Sequence, residues 1–374
     1  MKIISVVGAR PNFMKIAPFC KALKAHPEVQ HILVHTGQHY DVRMSDAFFT
    51  DLGIPAPDVH LNIGSGTHAE QVGRTMIEFE KVVKAENPDW IVVVGDVNAT
   101  CACSIVAKKE HVKLAHIEAG LRSGDIDMPE EVNRLVTDRL ADLLLTPDRI
   151  SNSNLKAEGV PDARIRFVGN IMIDTLEAQR EKAASRSIQE LVKRELLDAG
   201  QSVSELHDDG FAVMTMHRPS NVDQMETLRP LVEFLTQEVA KDMPLLWPIH
   251  PRARKQLELF GLWNEVRDKI VLLNPLGYHD MLRLNMGAKI MLTDSGGLQE
   301  ECCVLGTPCL TLRWNTERPI TLRDHGGASV LVGNDVQKIR QAYHETLATK
   351  RFPQRPELWD GHTAERIVDA ILSF

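Results

Sequence analysis

The chain contains 374 residues, which exceeds the roughly 250–300 residues that one hydrophobic core organises, so we expect two domains. Its net charge of −8 argues against a nucleic-acid-binding surface, which would need a basic stripe. No apolar run approaches the ~18–20 residues of a membrane-spanning helix, so no membrane association is expected. The six cysteines form no CxxC pair, which indicates reduced thiols in a cytoplasmic protein.

Short apolar runs alternate with longer amphipathic segments along the whole chain. The predicted strands are 2–8, 31–36, 90–95, 113–118, 142–146 and 165–169, then 211–216, 245–250, 270–273, 289–293, 309–312 and 328–332. The clearest helical patterns between them are 13–25, 68–86, 99–110, 130–141, 224–240 and 297–305. Continuously apolar strands that alternate with helices predict parallel sheets covered on both faces. The fold class is therefore α/β, with two Rossmann-like domains facing each other across a cleft.

The predicted boundary between the domains follows Phe167-Val168-Gly169-Asn170. The first domain is predicted to span 1–172 and the second 173–359, with a final helix over 360–374 that packs back on the first domain. Ligands of open parallel sheets bind beyond the carboxyl ends of the strands, so the cleft is the expected site.

Ionisable side chains follow many of the predicted strands. They are Arg10 and Lys15 after the first strand, Asp96 and Glu118 after two later strands, Glu130 and Arg134 near the start of a helix, and His217 in the second half. Each alone could be structural, since first-turn carboxylates complement a helix N-terminus and surface charges are common. Together they predict a site, in which cations would hold a diphosphate and carboxylates would transfer protons at a sugar carbon.

The second half contains a strand that ends at Asp294 and turns through Ser295-Gly296-Gly297 into a helix. Backbone N–H groups and the helix dipole at such a start favour an anion, and glycines let a phosphate approach closely. Glu300 and Glu301 follow one turn later and are suited to accept hydrogen bonds from ribose hydroxyls. This segment predicts a phosphorylated nucleoside ligand, although a purely structural strand-to-helix turn would look the same.

A dinucleotide cofactor and a metal are both disfavoured. The run 64–69, G-S-G-T-H-A, fits the G-x-G-x-x-A pattern, but it follows a polar segment, and no strand-end acid lies about twenty residues later. The run 116–118, H-I-E, matches half of a zinc deaminase signature, yet no P-C-x-x-C follows. We therefore predict neither an NAD cofactor nor a metal site.

Taken in order, the motifs of this chain resemble those of the non-hydrolysing UDP-N-acetylglucosamine 2-epimerases, which share the two-domain GT-B fold. The motifs are G-A-R-P at 8–11 with Lys15, T-G-Q-H at 36–39, Gly95-Asp96, H-I-E-A-G-L-R at 116–122, P-E-E at 129–131 with Asn133-Arg134, His217-Arg218, D-S-G-G-L-Q-E-E at 294–301, and T-E-R-P at 316–319. The resemblance covers essentially the whole chain.

The resemblance implies an isomerase that reversibly inverts C2 of UDP-GlcNAc to give UDP-ManNAc. In that family UDP leaves by anti elimination to form 2-acetamidoglucal and then adds back, without a cofactor, and homodimers are usual. Three alternatives stay open at this stage: a 2-epimerase of a modified UDP-sugar such as a 2,3-diacetamido uronic acid, a hydrolysing epimerase, and a GT-B glycosyltransferase or non-catalytic UDP-sugar-binding module.

The resemblance also implies roles for individual residues. The catalytic set is Asp96, Glu118 and Glu130 for proton transfer, with Lys15, Arg134 and His217 in support. The substrate-binding set is Arg10, Lys15, Asp96, Glu118 and His217 at the sugar and diphosphate, Ser295, Gly296 and Gly297 at a phosphate, Glu301 at the ribose with Arg318 nearby, and the segment from Leu276 to Met281 at the uracil. Which carboxylate serves which face of C2 is left open.

The chain departs from the family pattern in three places. Asn12 and Ile320 stand where many members have Glu, and the segment 40–44 differs from the bacterial type. In some bacterial members a second UDP-GlcNAc binds beside the active site, partly against that segment, so such activation is in doubt here.

Overall fold

The computed structural model describes residues 1–8, 10–37, 53–198, 200–201 and 203–374; the side chains of Arg10 and Pro11 and the segment 40–44 lie outside the description. Two compact units form the chain, one of Met1–Thr175 with Pro356–Phe374 and one of Leu176–Arg355. The predicted limits were 172 and 359, and the assignment of UDP binding to the second domain stays a prediction.

Each unit is built on one parallel sheet. The first sheet has the order β3-β2-β1-β4-β5-β6-β7 and the second β10-β9-β8-β11-β12-β13. The strands are β1 Lys2–Val7, β2 Gln30–His35, β3 Val59–His60, β4 Trp90–Val94, β5 Lys113–Ile117, β6 Leu143–Thr146, β7 Ile165–Phe167, β8 Ala212–Thr215, β9 Leu245–Pro248, β10 Val271–Leu273, β11 Ile290–Thr293, β12 Cys309–Thr311 and β13 Ser329–Leu331. The doubly wound order, which reverses beside the first strand of each sheet, confirms two Rossmann-like α/β domains.

Helices connect the strands as the alternating pattern predicts. They are α1 Arg10–Leu23, α2 His68–Glu86, α3 Asn98–Lys109, α4 Pro129–Leu140, α5 Arg149–Ala157, α6 Ile171–Ala184, α7 Ile188–Glu195, α8 Pro219–Val222, α9 Met225–Phe234, α10 Ala240–Asp242, α11 Pro251–Leu259, α12 Trp263–Lys269, α13 Tyr278–Gly287, α14 Gly296–Leu305, α15 Val336–Leu347 and α16 Thr363–Leu372. The helix predicted over 224–240 is interrupted by a π-helical turn, Leu235–Val239.

The central strands are apolar along their whole length because helices cover both faces of each sheet. All five residues of β4 are buried, and so are all four of β6 and of β11. Such strands show no alternation of polar and apolar residues, as expected for a parallel sheet. β3 was not predicted, since its two residues are partly exposed and too few to form a pattern.

Two further observations concern the described residues only. None of their helices combines the length and the apolar composition that crossing a membrane requires. No group of three or more His, Cys, Asp or Glu side chains among them is placed to hold a metal ion.

Candidate active site

In the first unit, the neighbouring strands β1, β4 and β5 present polar residues at one edge of the sheet. β4 pairs in parallel with both β1 and β5, so the carboxyl ends of these strands lie side by side. Asp96 follows β4 and Glu118 follows β5, whereas Lys15 lies on α1, which follows β1. This edge is the switch point of the sheet, where doubly wound proteins bind ligands.

Lys15 and Glu118 form a buried ion pair at this edge. The Lys15 ammonium donates a hydrogen bond to Oε2 of Glu118, and the two residues are only 6% and 4% exposed. The other carboxylate oxygen, Oε1, is also buried and has no hydrogen-bond partner among the described residues. A buried charge normally uses all its oxygens, so Oε1 marks a position where a ligand atom or proton would bind.

The backbone around this pair adopts left-handed conformations. Glu118 has φ +72°, which costs a residue with a Cβ about 1 kcal/mol or more and is typical of functional sites. Gly95 has φ +70°, and a Cβ there would lie 3.2 Å from Lys15 Nζ and 3.3 Å from Asn12 Nδ2. Asn12 itself donates to the carbonyl of Val94. Glycine at position 95 therefore lets the strand end approach the ion pair.

Asp96 is fixed by Arg134 of α4. The guanidinium donates from Nε at 3.1 Å and from Nη2 at 2.6 Å to Oδ2 of Asp96. The neighbouring Asn133 amide donates to the Asp96 carbonyl at 2.9 Å. Arg134 is only 2% exposed, so a buried cation positions a carboxylate whose own side chain is 24% exposed. This arrangement leaves Asp96 accessible while its orientation is set.

The two carboxylates at the start of α4 differ in their surroundings. Glu130 is exposed, so its predicted catalytic role stays a prediction. Glu131 is buried and accepts hydrogen bonds from the N–H groups of Ser123 and Gly124 and from Arg134. Burial raises the pKa of Glu131, but these donors outweigh it and hold the pKa below its ordinary value. Sequence reasoning did not select Glu131, because both residues look alike as first-turn carboxylates.

In the second unit, the turn from β11 into α14 has the geometry of an anion-binding helix start. Ser295 precedes the helix with φ −89° and ψ 127°, and within the described structure its side chain makes no capping hydrogen bond. A Cβ at Gly297 would meet no described atom within 4 Å, whereas one at Gly296 would lie 2.7 Å from Arg318 Nη1. The absence of a side chain at Gly296 lets Arg318 approach the helix start, and its absence at Gly297 leaves the first turn accessible to a ligand.

Asp294 holds the loop after β8 against this turn. Its Oδ2 accepts the backbone N–H groups of His217 at 2.8 Å and Arg218 at 2.7 Å, and the His217 ring nitrogen Nδ1 lies 2.8 Å from Oδ1. Burial raises the pKa of Asp294, but His217 and the N–H donors outweigh it, so the pKa lies below its ordinary value. The ionised Asp294 therefore brings His217 beside Ser295, a role that its place at a strand end did not reveal.

Arg318 belongs to a buried charge cluster beside α14. Its Nε lies 2.7 Å from Oε1 of Glu300, its Nη1 donates to Glu317, and Arg313 donates to the other oxygen of Glu317 at 2.7 Å. The predicted base-binding segment, 276–281, lies in the same unit and includes Tyr278, which is near Glu301 of α14. Leu276 is 7% exposed just before α13, and Met281 is half-buried on that helix.

Glu301 is a buried carboxylate on α14 with only 3% of its surface exposed. Burial raises its pKa from an ordinary value near 4.5 to about 7, although the nearby Tyr278 and Asn285 act in the opposite direction. The carboxyl group therefore changes its charge near neutral pH. A hydrogen-bond acceptor for ribose hydroxyls would be more effective above that pH.

This raised pKa predicts a pH-dependent stability. A carboxyl with a raised pKa stabilises the fold below its unfolded-state pKa near 4.5, and that stabilisation is lost as the pH rises through about 7. The loss amounts to up to about 3 kcal/mol at 1.36 kcal/mol per pKa unit. We expect Glu301→Gln to remove this fall, measured by urea unfolding at pH 5 and 8 without ligand. Equal pH dependence in both proteins would contradict the prediction.

The two doubly wound sheets, with ionisable groups at their carboxyl ends and an open helix start, define a GT-B-type nucleotide-sugar enzyme. A family model described as UDP-N-acetylglucosamine 2-epimerase matches residues 21–372. The chain belongs to this family, and it is an isomerase. The UDP-N-acetylglucosamine 2-epimerase of Methanocaldococcus jannaschii is 41% identical over 371 residues, 98% of each chain. The UDP-2,3-diacetamido-2,3-dideoxy-D-glucuronate 2-epimerase of Pseudomonas aeruginosa is 40% identical over 368 residues, 97% of each chain.

Solved structures agree with this assignment. The Methanocaldococcus jannaschii UDP-GlcNAc 2-epimerase in complex with UDP-GlcNAc and UDP superimposes with a TM-score of 0.89 at 38% identity over 100% of both chains. The Neisseria meningitidis enzyme bound to UDP-GlcNAc gives a TM-score of 0.86 at 27% identity, again over 100% of both chains. The predicted family and fold class are confirmed, whereas the homodimer, the cytoplasmic location and the individual residue roles stay predictions.

Proposed function

We propose that this protein catalyses the reversible C2 epimerisation of UDP-GlcNAc to UDP-ManNAc by elimination and re-addition of UDP. The observation that carries the proposal is the buried Lys15–Glu118 pair at the switch point, in which Glu118 Oε1 has no hydrogen-bond partner within the described part of the chain. A carboxylate held in this way can accept a proton from a ligand and return it. The membership of the chain in the UDP-N-acetylglucosamine 2-epimerase family supports the same reaction.

The reaction explains why one chain carries both carboxylates and an anion-binding helix start. The proton on C2 is not next to a carbonyl, so a base alone cannot remove it, and the C1–O bond must break as the C2–H bond breaks. The electron pair of the C–H bond forms the C1=C2 double bond, the proton passes to a carboxylate, and UDP leaves with the C–O electron pair. Protonation of the opposite face and return of UDP then invert C2. Glu118 and Asp96 are the proposed proton carriers, with Glu130 as the third candidate.

Stabilisation of the departing UDP is the second requirement, because negative charge develops on its phosphate oxygen. We assign this role to the N–H groups of Ser295, Gly296 and Gly297, together with His217. Arg10, Lys15 and Arg134 would neutralise the diphosphate and orient the sugar. Glu301 would accept from the ribose, near Arg318, and the Leu276–Met281 segment would contact the uracil.

The test is incubation of the purified enzyme with UDP-GlcNAc in deuterated water, without NAD or added metal. We expect UDP-ManNAc with deuterium at C2 and little free sugar, measured by NMR and mass spectrometry. The re-added proton comes from solvent after exchange at the carboxylate, so deuterium must enter. Retained protium at C2 would contradict proton transfer to solvent-exchangeable groups, and free ManNAc would identify a hydrolysing enzyme.

A second candidate substrate is a 2,3-diacetamido uronic acid linked to UDP. It is favoured by the Pseudomonas aeruginosa relative, whose name gives that activity and whose identity of 40% nearly equals the 41% of the Methanocaldococcus jannaschii enzyme. Both reactions use the same chemistry at C2. Comparison of kcat/KM for the two substrates distinguishes them, and a higher value for UDP-GlcNAc is the expected result.

A further inference from the structure

Asp138 of α4 is a buried carboxylate behind the strand ends that carry Asp96 and Glu118. It is 1% exposed, and both of its oxygens accept hydrogen bonds. Oδ1 lies 2.6 Å from Nδ1 of His116, and Oδ2 accepts from the N–H of Gly120 at 3.0 Å and from Nη1 of Arg122 at 2.7 Å. Asp138 therefore contacts one residue of β5 and two residues of the loop that follows β5.

The contact with His116 extends to the neighbouring strand. His116 is 0% exposed, and its second ring nitrogen, Nε2, donates to the carbonyl of Gly95 at 2.8 Å. Gly95 directly precedes Asp96, so the imidazole links Asp138 to the residue that sets the direction of Asp96. The link adds to the regular pairing of β4 with β5, in which His116 lies opposite Val93.

The contacts with Gly120 and Arg122 restrain the other proposed carboxylate. Glu118 has a left-handed backbone, and its N–H and that of Ala119 both bond to the carbonyl of Leu145 at 3.1 Å. Asp138 binds His116 before Glu118 and Gly120 after it, which fixes the chain on both sides of the strained residue. Surrounding contacts of this kind are what keep a non-glycine residue in such a conformation.

We propose that Asp138 is a positioning residue for the epimerisation, setting Asp96 through His116 and Gly95, and Glu118 through Gly120. The inference rests on the proposed function, because it concerns the groups that would move the C2 proton. Proton transfer depends steeply on geometry, and a displacement of about 1 Å can lower a rate by about 10²-fold. Asp138 itself contacts neither substrate nor the reacting atoms in this proposal.

The charge of Asp138 suits this role. Burial raises its pKa, but His116 and Arg122 outweigh that effect and hold the pKa below its ordinary value, so the group stays ionised. Both oxygens are then acceptors facing donors. Asp138→Asn keeps the volume but removes the negative charge, so the charge-assisted hydrogen bonds from Arg122 and His116 are replaced by weaker contacts to a neutral amide.

The matched control is Asp142→Asn. Asp142 also binds a residue of β5, accepting the N–H of Leu114 at 2.8 Å, and it pairs with Lys108 of α3. Asp142 directly precedes β6 and therefore lies at the amino ends of the strands, whereas Asp96 and Glu118 lie at their carboxyl ends. Both variants remove one carboxylate charge from the same sheet. They differ in whether the lost contact supports Asp96 and Glu118.

The experiment measures turnover of UDP-GlcNAc per UDP-binding site, the Kd for UDP, and the isotope effect on turnover with substrate deuterated at C2. For Asp138→Asn we expect turnover about 10²-fold lower, a Kd for UDP changed by less than about threefold, and a larger isotope effect, since proton transfer becomes slower. Asp142→Asn should resemble the wild type. His116→Asn should also lower turnover, because it breaks the contact of Asp138 with the Gly95–Asp96 strand end, and the double variant should be no worse than Asp138→Asn, because Asp138 lies on both routes.

Two outcomes separate this inference from the proposed function. Wild-type enzyme that epimerises UDP-GlcNAc, with Asp138→Asn as active per site as Asp142→Asn, would overturn the role of Asp138 alone. Wild-type enzyme without epimerase activity would overturn the proposed function, and a crystal structure of Asp138→Asn then decides the positioning claim. Displaced Asp96 and Glu118 would support it, and unchanged positions would overturn it. If Asp138→Asn does not fold, His116→Asn undergoes the same measurements with the same criteria.

Discussion

Replacing Glu118 with glutamine is expected to lower turnover of UDP-GlcNAc by about 10³-fold, within the range of about 10²–10⁴ for loss of a general acid or base. Glutamine has the size of glutamate, and its amide oxygen can still accept from Lys15, so the fold and that contact are retained. It cannot accept the C2 proton. Both directions of the reaction should slow equally, because a catalyst does not change the equilibrium.

The measurement compares initial rates in both directions with the entry of deuterium at C2 from deuterated water. Glu86→Gln is the control, because Glu86 pairs with Lys2 at 3.2 Å, as Glu118 pairs with Lys15, but Lys2 lies at the amino end of β1 and Lys15 lies on the helix beyond its carboxyl end. The control should keep wild-type turnover. Glu118→Gln with turnover within threefold of the wild type would remove Glu118 from the proton-transfer set.

Gly297→Asp is expected to weaken UDP binding by about 10³-fold without destabilising the protein. A side chain at this position meets no described atom within 4 Å, so it can be accommodated. A carboxylate in the first turn of α14 interacts favourably with the helix dipole by about 0.3–1 kcal/mol, and loss of glycine reduces the entropy of the unfolded chain. Near a bound diphosphate, however, the same charge repels the ligand at a cost of several kcal/mol.

The substitution is expected to lower the affinity for UDP but not the free energy of unfolding. A lost ligand contact can therefore be distinguished from a folding defect. Gly297→Asn, of similar volume but uncharged, separates charge repulsion from steric exclusion and should lose much less affinity. UDP affinity is measured by calorimetry and the free energy of unfolding by urea titration. If Gly297→Asp binds UDP as tightly as the wild type, the diphosphate is not held at this helix start.

Much of the fold followed from the sequence because its signals are local. Continuous apolar runs predicted the central strands, and the alternation with helices predicted two parallel sheets. The Ser295-Gly296-Gly297 turn could also be predicted, since two glycines at a helix start are a property of a few consecutive residues. β3 could not be predicted, because its two residues form a strand only by pairing with β2.

Some of the candidate site residues could also be predicted from the local sequence around them. Lys15, Asp96, Glu118 and His217 stand at strand ends or one turn beyond, and parallel strands bring such ends to one edge of a sheet. Their partners were not predictable in this way. Glu118 pairs with a residue 103 positions away and Asp96 with one 38 positions away, and no periodicity relates residues so distant.

The sequence alone therefore determined the kinds of chemical group, the order of strands and helices, and the family. The tertiary structure decided which groups are buried, which of them are paired, and which keep an oxygen for a ligand. Glu130 and Glu131 are neighbours of the same type, yet only Glu131 is buried against Arg134 and two N–H groups. The reason is physical: side-chain type and spacing are properties of the chain, whereas desolvation and charge pairing arise only when distant segments pack together.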